Sequence, residues 1–291
     1  MTDKRNGPVP VSDPNAAMLA GRTAHGTPTT EFWGEAGRPT PNRRMPVPHY
    51  ETTGHEFGEE TRSRAQQIIA RYPHPRSALL PLLHLVQSEE GFLSRDGLLF
   101  CADLVGISEA EASGTATYYT MYKREPCGEH LVSVCTNTMC AALGGDAIFA
   151  RLCDRLGVGH EQTAGEPGTP GSVTIEHVEC LAACDLGPVV TVNYELFDKQ
   201  TPDSAEELVA ALQRGERPHP TRGAPLTSFK QAELQLAGFF GEPGEAYDAA
   251  VDAPSAAPES LRGVQLAADR GWTAPPMPSD PPPFPDLPEK K

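Results

Sequence analysis

Four of the seven cysteines in this chain of 291 residues fall into two close pairs, and these are the residues best suited to do chemistry. Four residues separate Cys135 from Cys140, three separate Cys180 from Cys184, and 39 lie between the pairs. Four thiolates are the complement that a 2Fe-2S cluster requires, two on each iron. A structural zinc ion is the alternative for the same sulfurs, although zinc pairs are usually spaced by two residues, at most about four, and compact zinc folds keep their pairs closer. A disulfide or thiol-redox site would need a C-x-x-C motif or an oxidising compartment, and the sequence offers neither. His130 and His177 could stand in for a cysteine as in Rieske centres, but with four cysteines available they are expected to be ordinary half-buried residues. Cys101 and Cys153 sit in the helical patterns LLFCADLV and FARLCDRL, and Cys127 follows Pro126 in a loop. These three are expected to be structural, since free cysteines commonly pack as small hydrophobes.

The elements that must position the pairs can be read around them. His130 to Val134 is a short β-prone run that ends at Cys135, and Ser172 to Val178 alternates like a strand and ends just before Cys180. Each pair therefore belongs to a loop leaving a strand, where backbone N–H groups can turn toward sulfur. Between them, Met139 to Leu156 reads as one helix with Ile148, Phe149, Leu152 and Leu156 on one face, followed by a Gly/Pro-rich loop. Pro188 to Val192 is a third strand and Phe197 to Gln200 a fourth, joined near Asn193 to Glu195. Thr201 and Pro202 open a helix that Gly215 closes.

Upstream, four short helices follow one another. The first lies within Phe57 to Tyr72, with Glu59 and Glu60 in its first turn and Arg71 in its last. The second spans about Ser77 to Glu90 and stops at Gly91. The third, Arg95 to Val105, is capped by Ser94 and closed by Gly106. The fourth opens on a Ser108/Glu111 capping box and reaches about Thr117.

The chain divides by composition. Of 30 prolines, eight fall in residues 1 to 54, eight in 55 to 213 and fourteen beyond, which puts the folded part in the middle. The formal charge of -15 divides as +1, -13 and -3 over the same three stretches, so the folded part is strongly acidic and a poor partner for nucleic acid. The expected organisation is an extended or disordered leader over 1–54, a helical subdomain over 55–118, a second domain over 119–214 and a Pro-rich, mostly extended tail over 215–291. That tail contains one helical pattern, Phe229 to Phe240. No apolar run approaches the roughly 20 residues needed to span a bilayer, and Met1 to Pro10 lacks a signal-peptide apolar stretch, which predicts a cytoplasmic protein without direct membrane insertion. There is no G-x-G-x-x-G, Walker loop, H-E-x-x-H or nucleophile elbow, so no nicotinamide or flavin site and no catalytic residue is expected on this chain.

Three segments, LLPLLHLVQSEEGFLSRDGLLFCADLVGI, TATYYTMYKREPCGEHLVSVCTNTMC and VECLAACDLGPVVTVNYELFDKQTP, together resemble the E-type subunit of bacterial NADH:quinone oxidoreductase, respiratory complex I. The resemblance covers about residues 57 to 213. It includes Tyr118-Tyr119, where the family usually has Phe-Tyr, and Gly187-Pro188 after the last ligand. It implies an α/β fold, a small N-terminal helical subdomain followed by a thioredoxin-like domain, with Cys135, Cys140, Cys180 and Cys184 ligating one 2Fe-2S cluster. It also implies an oxidoreductase subunit of a complex on the cytoplasmic side of the membrane. Its partners would be a subunit that binds FMN and NADH and the iron-sulfur subunits beyond. In that family the cluster is regarded as a side station off the main route to quinone. The equivalent subunit of a soluble diaphorase module attached to a hydrogenase or formate dehydrogenase has the same features, and a zinc-stabilised thioredoxin-like interaction module is the non-redox alternative. The sequence departs from the family at Ala182, where glycine is common, which predicts a changed potential with binding retained. Glu176, Glu179 and Asp185 flank the second pair and predict a low potential, because nearby negative charge disfavours adding an electron.

Overall fold

The structure, a computed structural model, describes residues 49–241 and 258–274. Four helix starts are capped by a side chain that accepts from a free N–H of the first turn, at Ser94, Ser108, Thr201 and Ser228. Helix α1, Glu59–Ile69, carries Glu59 and Glu60 in its first turn. Arg71 lies past its end, and the guanidinium reaches instead to the carbonyls of Ala237 and Gly238, each at 3.4 Å. A 3-10 turn over Pro75–Ala78 leads into α2, Leu79–Glu90, which ends at Gly91 in a left-handed conformation (φ 86°). In α3, Arg95–Val105, the Ser94 hydroxyl accepts from the Gly97 N–H. In α4, Glu109–Tyr118, Ser108 and Glu111 form the reciprocal capping box. Leu82, Leu83, Val86, Leu98, Cys101 and Ala112 fill the core among these helices.

The last residues of the leader belong to this bundle. Tyr50 is buried in its core, Glu51 accepts from the Arg95 N–H at 2.7 Å, and Asp96 accepts from the N–H groups of Thr53 and Gly54. Residues 49–54 of the leader are thus without helix or strand but packed on the bundle, and the remainder of it falls outside the described residues.

The second half is a five-stranded sheet in the order β2-β3-β1-β4-β5. Strand β1 is His130–Cys135, β2 Gln162–Ala164, β3 Val173–Val178, β4 Val190–Val192 and β5 Glu195–Phe197. Only β1 and β3 run parallel, with Cys135 opposite Val178, and the other neighbours are antiparallel. Three sequence expectations need correction. The stretch read as loop contains the edge strand β2, whose three residues are too few to show a period. The fourth strand begins at Glu195, because Asn193 and Tyr194 (φ 47° and 75°) reverse the chain in a two-residue turn that sets the register. The helix read over Met139 to Leu156 is two helices, α5 over Thr138–Ala142 and α6 over Gly145–Leu156, broken at Gly144 (φ 113°).

Helices α6 and α7, the latter Pro202–Gln213, cover one face of the sheet through Ile148, Phe149, Leu152, Leu208, Val209 and Leu212 against Val132, Val134, Ile175 and Val190. The opposite face is mixed. Ser133 and Glu176 lie buried there beside Lys123, whose ammonium is bonded to the Glu176 carboxylate while the Ser133 hydroxyl donates to the other oxygen at 2.7 Å. Beyond α7 the chain crosses back, and α8, Phe229–Leu236, packs on α2. Its Glu233, fully buried, joins His84 of α2 and the Tyr194 hydroxyl of the β-hairpin, both at 2.6 Å. Residues 216–241 are therefore part of the folded body, where the sequence suggested a tail. A further helix, α9, spans Pro258–Asp269 in the stretch expected to be extended, and the remaining tail residues fall outside those described.

Candidate metal centre

The geometry follows from the parallel pairing of β1 and β3. Two neighbouring parallel strands end on the same side of the sheet, so the loops that leave them are adjacent. The first loop leaves β1 at Cys135 and enters α5, which carries Cys140. The second leaves β3, passes Cys180 and enters a 3-10 turn, Cys184–Leu186. Backbone bonds tie both to the sheet: Cys135 N–H donates to the Val189 carbonyl and Thr136 N–H to that of Val178, each at 3.1 Å. The sulfurs of Cys180 and Cys184 stand 3.2 Å apart. Cys135 and Cys140 pack in one buried cluster, and the Cys140 thiol is raised by the proximity of both Cys135 and Cys184, so the structure brings all four sequence-predicted residues into one neighbourhood.

The two pairs differ in depth. Cys135 and Cys140 are each 2 % exposed, packed with Ala183 and Val189, whereas Cys180 and Cys184 are exposed. Burial pushes the Cys140 thiol up to about 11, against a backbone hydrogen bond from Val189 that favours the thiolate. The Cys184 thiol is raised chiefly by its hydrogen bond with Cys180. Thiols held protonated in this way release protons when they take up metal.

Two glycines give the buried pair its room. A Cβ at Gly145 would lie 2.4 Å from the Cys135 carbonyl oxygen, and one at Gly187 would lie 3.3 Å from the Cys140 sulfur. The break between α5 and α6 thus has a cause in the site: the second helix starts pressed against the backbone of the first ligand. Ala182 has a left-handed backbone (φ 57°), and its N–H points at the Cys180 sulfur at 3.4 Å. The methyl group costs conformational energy there and displaces no ligand.

The charges near the second pair are not bare. Glu176 is bonded to Lys123, and Asp185 faces Arg222 at 3.6 Å. Glu179, next to Cys180, accepts from the Asn137 side-chain amide at 2.5 Å. The expected pull toward low potential therefore loses two of its three sources. His130 is buried against Asn193 at the far end of β1, and His177 stacks on His160 with ring centroids 4.2 Å apart. Cys101 and Cys127 are buried and Cys153 half-buried; burial raises all three thiols, those of Cys127 and Cys153 to about 12 and 11. Among the described residues no three His, Cys, Asp or Glu side chains are arranged to hold a single metal ion.

Two cysteine pairs at adjacent strand ends of the sheet fit the donor set of a two-iron cluster, and a family model matches the part of the chain that contains them. The model of the thioredoxin-like [2Fe-2S] ferredoxin matches residues 65–213, just over half of the chain. The chain belongs to this family. Among curated relatives, the E-type subunit of the NADH-quinone oxidoreductase of Mycobacterium tuberculosis is 53% identical over 214 residues, which is 74% of this chain and 81% of that protein. NADH-quinone oxidoreductase subunit 2 of Thermus thermophilus is 32% identical over 55% of this chain and 88% of its own length. Among solved structures, an NAD+-reducing [NiFe]-hydrogenase aligns with 47% of this chain and 23% of its own at 17% identity and a TM-score of 0.41, too remote to bear on function.

Sequence reasoning found the four cysteines and missed what surrounds them. Asn137 was visible as a polar residue inside the first cysteine loop, but its partner in the other loop is a matter of tertiary structure. Gly145 is an unremarked glycine in an apolar run, and only the fold shows what it touches.

Proposed function

We infer that the chain is the E-type electron-transfer subunit of an NADH-quinone oxidoreductase, with one 2Fe-2S cluster held by Cys135, Cys140, Cys180 and Cys184. The observation that carries the assignment is the convergence of four sulfurs on two loops at the ends of β1 and β3, within the match to a [2Fe-2S] family. Pairing by loop gives each iron two neighbouring thiolates: Cys135 and Cys140 for an iron on the buried side, Cys180 and Cys184 for one at the surface. When bound, such a cluster accepts and releases one electron at a time.

The protein's own contribution is positioning and polarity. The N–H of Ala182 donates to the Cys180 sulfur, which stabilises thiolate charge on the outer loop. Val189, Ala183 and the half-buried Leu181 and Leu196 keep water from the inner pair, while the outer pair stays open to a partner. That partner is the subunit that carries FMN and binds NADH, and further iron-sulfur subunits lie beyond it. The assembly sits on the cytoplasmic face of the membrane, which agrees with the absence of a helix long and apolar enough to cross it among the described residues.

Anaerobic purification of the full chain followed by iron, sulfide and zinc analysis tests the assignment. Two irons and two sulfides per chain are expected. One zinc without sulfide would replace it with the zinc-stabilised reading.

A further inference from the structure

We propose that Asn137 and Glu179 are positioning residues that clasp the two cysteine loops together and hold one carboxylate charge beside the outer pair, an inference that rests on the ligand assignment above. The backbone ladder between β1 and β3 ends with Thr136 N–H on the Val178 carbonyl at 3.1 Å. The next link along the two loops is made by side chains, the Asn137 amide donating to the Glu179 carboxylate at 2.5 Å.

The position of Asn137 gives this contact its meaning. Asn137 is the N-cap residue of α5, with extended backbone (φ -74°, ψ 161°), where an asparagine ordinarily turns its side-chain oxygen onto an N–H of the first helical turn. Here the side chain makes no capping bond. It spends its amide on the other loop instead, at the start of the short helix that carries Cys140. Glu179 directly precedes Cys180, so one hydrogen bond spans the two chain segments that bear the inner and outer pairs. The same contact fixes where the Glu179 charge lies, and a charge near a cluster bears on its potential.

Geometry and charge can be separated by substitution in the full-length chain, purified anaerobically with its cluster. Glu179→Gln keeps an acceptor for the Asn137 amide and removes the charge. Asn137→Ala removes the clasp and keeps the charge, and the Asn137→Ala/Glu179→Ala double variant removes both. If the clasp operates, EPR g-values of the reduced protein sort by clasp: Glu179→Gln matches the unsubstituted chain, and the two clasp-less variants depart from it and resemble each other. Midpoint potentials sort by charge instead, with Glu179→Gln and the double variant both above the unsubstituted chain and Asn137→Ala at or below it. Iron release to a chelator becomes several-fold faster only where the clasp is lost. An Asn137→Ala spectrum that superimposes on that of the unsubstituted chain, or a Glu179→Gln spectrum displaced like that of Asn137→Ala, overturns the proposal. An unsubstituted chain without two irons and two sulfides overturns the ligand assignment itself, and the clasp with it.

Discussion

The two cysteine pairs have the same chemistry and opposite surroundings. Cys135 and Cys140 are packed with Ala183 and Val189 and closely approached by the backbone at Gly145 and Gly187, whereas Cys180 and Cys184 stand at the surface on a loop whose backbone includes a left-handed alanine. The inner pair is therefore part of the core and fails with it, while the outer pair sits where change is absorbed locally. The difference teaches that ligand identity alone does not fix the cost of losing a ligand; its burial does.

The largest expected effect tests that asymmetry directly. Cys140→Ser should abolish cluster retention, because a buried serine leaves an iron site that no outside ligand can reach. Cys184→Ser should keep a large fraction of the iron, with a shifted visible and EPR spectrum, since solvent can complete its shell. Iron and sulfide per chain after anaerobic desalting measure both, and equal losses would break the comparison. Next in size is Gly145→Ala, whose methyl would have to displace the Cys135 carbonyl. It should destabilise the fold by about 1–3 kcal/mol in denaturant titration. Gly187→Ala crowds a sulfur and a leucine side chain, both of which can yield, so its effect should show in the cluster spectrum more than in stability. The smallest change belongs to the outer loop. Ala182→Gly should stabilise the chain by up to about 1 kcal/mol, the left-handed penalty less the extra freedom of glycine when unfolded. A thermal melt of the cluster-loaded chain reads its sign.

How far the sequence foretold this depends on whether the signal was local. Ser94, Ser108 with Glu111, and Thr201 marked helix starts, and Gly91 and Gly106 marked ends, because capping is settled within four residues. The four cysteines were legible for the same reason, since ligand spacing is a property of short loops. Their unequal depth was not, because it depends on β4 and Val189 just before it returning beside β1. The break at Gly144 was hidden by an apolar period that continues through it, and its cause is the contact of the next residue, Gly145, with the Cys135 carbonyl, ten residues earlier in the chain. The register of β5 turned on two left-handed residues, Asn193 and Tyr194, of which only the first is a type that signals a turn. The carboxylates around the outer pair are legible in sequence, and the cations that meet two of them are not, because Lys123 and Arg222 approach from elements remote in sequence.

The carboxylate of Glu233 bears on how this protein can be divided. The family match stops at residue 213, and by that measure everything afterwards is an appendage. By packing, the stretch 216–241 belongs to the folded body, for Glu233 is the shared partner of His84 in the helical half and Tyr194 beside the sheet. A fragment trimmed to the boundary of likeness would strip the buried His84 and the half-buried Tyr194 of their common partner and bare the face of α2 beneath it. The unit that the family match bounds and the unit that packs as one body are, in this chain, different lengths.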